Sequence, residues 1–205
     1  GNGGSGQQQF RHPGKIAVDT NDNVYVIDTG NRRILSYDSN GNWRCTSSVI
    51  NSGIWNSNFA DIEISLANQI VVTLEQTAQV YDTSCRVTQT VTHNVGSGPY
   101  AIDDNGKAYY YNTTSGTLSR YSSTGVFGTV EKIETNLPQK SNLGSPVDME
   151  VDSSNRLYIL SSTQSRIYVY NSTTFDHLCT IGDGRGSSSR SGHLLDPKGF
   201  SVMGD

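Results

Sequence analysis

The chain has 205 residues, of which 17% are charged, with a net charge of −4 and a pI near 5.5; Ser, Thr, Asn and Gly fill its polar positions. That is enough chain for a substantial core. The composition offers none of the clustered Lys and Arg that nucleic-acid phosphates attract, and no apolar run reaches the ~18 residues of a membrane span.

The opening stretch, GNGGSGQQQ, lacks the basic and apolar regions of a signal peptide and reads as a flexible linker, so a secretion signal would be removed or lie upstream. From Ile16 to Ile27 the segment IAVDTNDNVYVI places two short apolar strands around a turn rich in Asp and Asn. Such residues bond to their own backbone and tolerate left-handed dihedrals, which favours chain reversal. The pattern returns as IEISLANQIVVT (62–73), YAIDDNGKAYYY (100–111) and MEVDSSNRLYIL (149–160).

A third strand follows each copy and ends in Tyr37, Tyr81, Tyr121 or Tyr170, spaced 44, 40 and 49 residues apart. These tyrosines are expected to pack between repeats. WRCTSSVI, RVTQTVTHNV, VFGTVEKI and FDHLCTI supply a fourth strand. Four strands in every ~40 to 50 residues, without helical periodicity, predict an all-β fold, a β-propeller whose blades bury their faces by stacking. The expected repeats are 10–53, 54–97, 98–144 and 145–191 within a single propeller domain, and 192–205 begins a fifth with DPKGFSV, which repeats the spacing of HPGKIAV.

The unit from Phe10 to Trp43, carrying HPGKIAVD, NVYVIDTGNRRI and YDSNG, resembles the NHL repeat, and the later units are looser matches. The resemblance implies a propeller of NHL-like four-stranded blades, commonly six in that family. Four repeats and one strand of a fifth therefore suggest a closed four-blade ring with one strand displaced, part of a larger propeller, or an incomplete ring finished by another subunit. The family's Asp-x-x-Asn-x-Arg turn appears as Asp28, Asn31 and Arg33, read as structural: a carboxylate there can cap backbone amides of its turn.

Some propellers of this kind, such as peptide-amidating lyases, hold zinc through axial histidines, and lactonase-like ones gather carboxylates around calcium. Here His12 stands at the start of an inner strand, and its equivalents are Gly98, Ser145 and Asp196; His177 falls on an outer strand, and His93 and His193 fall in connections. Three converging ligands do not emerge, so neither a metal nor another cofactor is expected. Asp19, Asp103 and Asp152 are expected to cap the turns they begin. Cys45, Cys85 and Cys179 match no zinc spacing; three cannot all pair within one chain, and they read as structural or free.

The expectation is a non-enzymatic binding or scaffold module that meets a protein or glycan through loops, with His12, Trp55, Tyr100, Ser145 and Asp196 as the binding face. Self-association through the edges of an incomplete ring is a second possible partnership. Asn112-Thr113-Thr114 and Asn171-Ser172-Thr173 are glycosylation sequons, and with the low charge they point to a secreted or cell-surface location. The alternatives are a structural subunit of a self-assembling polymer and a metal-dependent lyase or lactonase-like enzyme. Neither nucleic acid nor membrane insertion is expected. Such a segment on its own is not expected to be a closed monomer.

Overall fold

The structure, a computed structural model, describes residues 4–50, 61–65, 68–74, 77–92, 98–122, 130–182, 194 and 197–202. Its architecture is the expected all-β propeller of four-stranded blades. Blade 1 comprises β1 (Pro13–Val18), β2 (Val24–Asp28), β3 (Arg33–Tyr37) and β4 (Trp43–Thr46). Blade 2 comprises β5 (Asp61–Ile64), β6 (Ile70–Thr73), β7 (Thr77–Tyr81) and β8 (Val87–Thr92). Blade 3 comprises β9 (Tyr100–Ile102), β10 (Ala108–Asn112), β11 (Thr117–Tyr121) and β12 (Val130–Glu134). Blade 4 comprises β13 (Pro146–Val151), β14 (Arg156–Ser161), β15 (Arg166–Asn171) and β16 (His177–Ile181).

Every blade is a meander in which each strand pairs antiparallel with its sequence neighbour. The register repeats as well: Val24 faces Tyr37, Ile70 faces Tyr81 and Leu157 faces Tyr170. Short turns and period-two alternation leave little other choice, because a slip of one residue would move the apolar set to the opposite face.

The chain forms two compact units, residues 1–95 and 96–205. The core of the first unit joins Tyr25, Ile27 and Ile34 of blade 1 to Ile70, Val72 and Tyr81 of blade 2. In the second, Tyr109 and Leu118 of blade 3 meet Met149, Ile159, Tyr170 and Phe175 of blade 4. Each core thus lies between two blades, the stacking that a lone four-stranded sheet lacks. Tyr81, Tyr121 and Tyr170 are buried, whereas Tyr37 is half-buried beside Phe10.

Residues 197–202, the longest described part of the expected fifth repeat, form no strand. No neighbouring strand pairs with them among the described residues, and a ladder needs one. They lie instead against blade 4, where the Phe200 N–H donates to the Asp148 carboxylate at 2.9 Å and the Phe200 ring stands 6.3 Å from that of Tyr158.

Candidate functional site

Three buried carboxylates sit at the inner turns of blades 1, 3 and 4. In blade 1 the Asp19 carboxylate accepts the N–H groups of Asn21 and Asn23, each at 2.9 Å, the Asn23 amide, and the Tyr25 hydroxyl at 3.0 Å. Blade 3 repeats this with Asp103, which accepts from Asn105 N–H, Lys107 N–H and the Tyr109 hydroxyl. Blade 4 repeats it with Asp152, Ser154 N–H, Arg156 N–H and the Tyr158 hydroxyl, and the Arg156 guanidinium adds an ion pair. One buried carboxylate therefore closes the reversal through residues two and four places on and anchors the ring six places on.

At Asp19 and Asp152 these contacts favour the ionised carboxylate. Burial pulls Asp19 upward, but hydrogen bonds from the Asn23 side chain and backbone, Asn21 N–H and Tyr25 outweigh it and leave the group below its ordinary value. Asp152 has the same balance, with burial opposed by Arg156 and Tyr158. Burial, reinforced by the adjacent aspartate, raises Tyr25 and Tyr158 and takes Tyr109 up to about 12. In the Asp19–Tyr25 and Asp152–Tyr158 pairs the shifts favour an ionised acceptor and a neutral donor.

Asp28 does something different from the capping expected of it. It makes no side-chain cap on the 3-10 turn Thr29–Asn31. Fully buried, it accepts Arg11 N–H at 2.6 Å, the Asn31 amide at 2.7 Å and Arg33 Nε at 2.9 Å. The other guanidinium nitrogens of Arg33 donate to the carbonyls of Ser5, Gly6 and Gln9, and Asn31 Nδ2 also donates to the Gly4 carbonyl at 2.8 Å. The trio is a clamp on the strand-free segment 4–11. Gly30 N–H donates to the Arg11 carbonyl at 2.6 Å, and a side chain at Gly30 would collide with that carbonyl. The equivalent pair in blade 4 is Ser161 and Arg166, which face each other in the β14–β15 ladder as Asp28 and Arg33 do in β2–β3.

His12 is exposed, with φ of 52°, immediately before β1. Ser145 is exposed immediately before β13; its N–H donates to Thr163 Oγ1 and its carbonyl accepts from Ser162 N–H. Tyr100 is 2% exposed, its ring stacked 4.5 Å from that of Tyr110 opposite it in the ladder. Trp55, Asp196, His93 and His193 lie outside the described residues. His177 stands on β16, edge-on to Tyr170 at 5.5 Å. Among the described residues no group of three or more His, Cys, Asp or Glu side chains is placed to hold a metal ion, and no helix is long and apolar enough to cross a membrane.

The two sequon asparagines behave alike: Asn112 Oδ1 accepts from Thr114 and Ser115 N–H, and Asn171 Oδ1 from Thr173 and Thr174 N–H. Thr114 and Thr173 are exposed. One connection escaped sequence reasoning. Cys45 on β4 is disulfide-bonded to Cys85 in the β7–β8 turn, and Cys179 is free and exposed. A separation of 40 residues, close to the repeat length, was the signal available.

The NHL repeat family model matches residues 10–37. Comparison with curated protein sequences gives no match. Among solved structures, virginiamycin B lyase from Staphylococcus aureus is similar at a TM-score of 0.60 and 9% identity, over 80% of this chain and 53% of that one. A streptogramin B lyase is similar at 0.65 and 11%, over 92% and 58%. PorZ, a surface component of the type-IX secretion system of Porphyromonas gingivalis, is similar at 0.59 and 16%, over 80% and 21%. The chain thus spans little more than half the length of the lyases, and at these identities the likeness is one of fold.

Proposed function

Because the chain is an NHL-repeat β-propeller, we propose that it works as a non-enzymatic binding or scaffold module, displayed outside the cell, that meets a protein or glycan ligand through loops at the strand starts. The observation that carries this reading is the use of the turn carboxylates. Asp19, Asp103 and Asp152 each accept two backbone N–H groups and a tyrosine hydroxyl, and Asp28 is held by Arg11, Asn31 and Arg33. A general acid needs a carboxyl raised toward working pH, and the hydrogen bonds at Asp19 and Asp152 act in the opposite direction. Such groups stiffen a display platform. The Cys45–Cys85 disulfide supports an oxidising compartment, and the exposed sequon threonines fit the same location.

The exposed candidates in this reading are His12 in the first unit and Ser145 in the second; the sequence adds Trp55 and Asp196, which lie outside the described residues. A glycan array and a panel of extracellular proteins, probed with the purified chain, test it. Saturable binding that weakens at least tenfold in H12A/W55A and S145A/D196A variants with unchanged thermal unfolding is expected. Absence of binding to both sets, or turnover of a streptogramin B substrate by the chain, would overturn it.

A further inference from the structure

The connection from β12 to β13, residues 135–145, is pinned from below and polar above. Leu137 and Leu143 enter the core of the second unit, 2% and 0% exposed. Two hydroxyls of β15 hold the backbone between them: Tyr170 donates to the Pro138 carbonyl and Tyr168 to the Asn142 carbonyl, each at 2.7 Å. Gln139 stands in the left-handed region with φ of 63°, a conformation that costs a residue with a side chain. Its Oε1 accepts the Asn142 amide at 2.7 Å, and its carbonyl accepts the Asn142 N–H at 2.8 Å. The loop is therefore fixed in shape before any ligand arrives.

On its outer side the loop forms a cavity of about 540 Å³, open to solvent and lined by Asn136, Leu137, Gln139, Lys140 and Ser141. That volume lies within the range of roughly 300–1,000 Å³ typical of small-molecule sites. Leu137 is buried, so the side chains offered to a ligand are those of Asn136, Gln139 and Ser141, all exposed, and of half-buried Lys140. The Lys140 stem runs beside Gly116, where a Cβ would stand 2.7 Å from Lys140 Cε. The ammonium donates to the Thr135 carbonyl at 2.9 Å and, among the described residues, has no carboxylate partner. The nearest acid in sequence, Glu134, is engaged elsewhere: Oε1 accepts the Asn136 N–H at 2.8 Å and Oε2 lies 4.0 Å from Lys132 Nζ.

We propose that this cavity binds an acidic saccharide, its carboxylate paired with the Lys140 ammonium and its hydroxyls hydrogen-bonded to Asn136, Gln139 and Ser141. An apolar ligand would meet amides and a hydroxyl in place of an apolar wall. A nucleic acid would need several cations, and the lining holds one. A saccharide acid matches both features: a single ammonium without a counter-ion makes a charge-assisted bond to one carboxylate, and neutral amide and hydroxyl groups serve the ring hydroxyls. The assignment rests on the reading of the chain as a binding module and names its ligand class; the same loop leads to Ser145 at the start of β13.

The test is calorimetric titration of the purified chain with trigalacturonate and with sialyllactose, which carry the carboxylate on a uronic and on a sialic acid. Galactotriose and lactose serve as their neutral counterparts, and sodium acetate as the carboxylate alone. Either acidic sugar is expected to bind at least about tenfold more tightly than its neutral counterpart. K140Q should abolish that preference without moving the unfolding midpoint, K140R should keep it, and S141A should weaken both acidic and neutral binding. Equal binding of acidic and neutral sugars, an acidic preference that survives K140Q, or acetate matching the acidic sugars would overturn the proposal. Binding of another glycan or of a protein that K140Q leaves intact and H12A/W55A removes would overturn this assignment and keep the module reading. Absence of all binding would overturn both.

Discussion

Blades 1 and 2 share a ladder register and a core, yet hold their turns by different means. Blade 1 closes its inner reversal with Asp19 and the Tyr25 hydroxyl; at the matching places blade 2 has Ser65, whose Oγ accepts the Gln69 N–H at 3.2 Å, and Val71. Blade 1 carries the Asp28–Arg33 ion pair where blade 2 carries Leu74 and Thr77, joined by backbone bonds alone. The buried hydroxyls of Thr73 and Thr77 have no hydrogen-bond partner among the described residues. Apolar alternation is therefore sufficient to set the strands and their stacking. The polar networks add rigidity to the turns, and the match to the repeat family, residues 10–37, takes in β1 to β3 of blade 1, the blade with both networks complete.

The largest effect is expected where blade 1 depends on a buried charge. Asp28→Ala leaves Arg33 without its carboxylate and should cost about 3–5 kcal/mol in urea unfolding, with new protease cleavage within residues 4–11. Writing blade 2's pair into blade 1, as D28L/R33T, removes both charges and should cost less than Asp28→Ala alone. A larger loss in the double variant would mean that the clamp on segment 4–11, rather than the ion pair, carries the energy. Next comes the joint between the blades: C45A/C85A opens a cross-link spanning 40 residues, a loss of about 2–4 kcal/mol, measured by the same unfolding.

At the inner turns, Asp19→Ala should cost about 2–3 kcal/mol because Tyr25 and two amides lose a charged acceptor, whereas Ser65→Ala should cost about 1 kcal/mol. Equal losses would break the comparison. Acid sharpens it. Asp19 and Asp152 lie below their ordinary values when folded, so their contribution is present above the unfolded value and is lost as pH falls through the folded one, a decline that begins below about pH 5. In D19N/D152N the urea midpoint should fall less between pH 7 and pH 3. Blade 2 adds nothing to this slope at its inner turn, since Ser65 does not titrate in that range.

Much of this was legible in the sequence because it is local. Alternation around TNDN, LANQ, DNGK and SSNR placed every inner hairpin, and the aspartate at each of three turns caps it as such residues do. What was not legible is non-local. Asp28 looks like a turn cap, but its partners include Arg11, seventeen residues back, and the course of segment 4–11 is set by tertiary contacts. The Cys45–Cys85 bond depends on how one blade's fourth strand meets the next blade's turn, which three scattered cysteines do not reveal. The burial of Tyr100 follows from its place opposite Tyr110, and a strand as short as Tyr100–Ile102 carries too little alternation to show which face is inward.

The smallest expected effect has the opposite sign. Blade 2 buries the Thr73 and Thr77 hydroxyls without partners among the described residues, and a buried hydroxyl stripped of water and given nothing in return is a cost. Thr73 is 1% exposed and sits in a strand whose four residues are all buried, so Thr73→Val exchanges the hydroxyl for a methyl of similar volume in an apolar setting. Stability should rise by up to about 1 kcal/mol, since the desolvated donor and acceptor are removed and no hydrogen bond is broken. Removing a hydroxyl at a satisfied position, Ser47→Ala just after β4, should lower stability, because Ser47 Oγ accepts the Ile34 N–H at 3.0 Å and donates to the Ser48 carbonyl. Opposite signs in paired unfolding measurements would locate blade 2's weakness in its polar groups rather than its packing. A loss at Thr73 would place it in the packing.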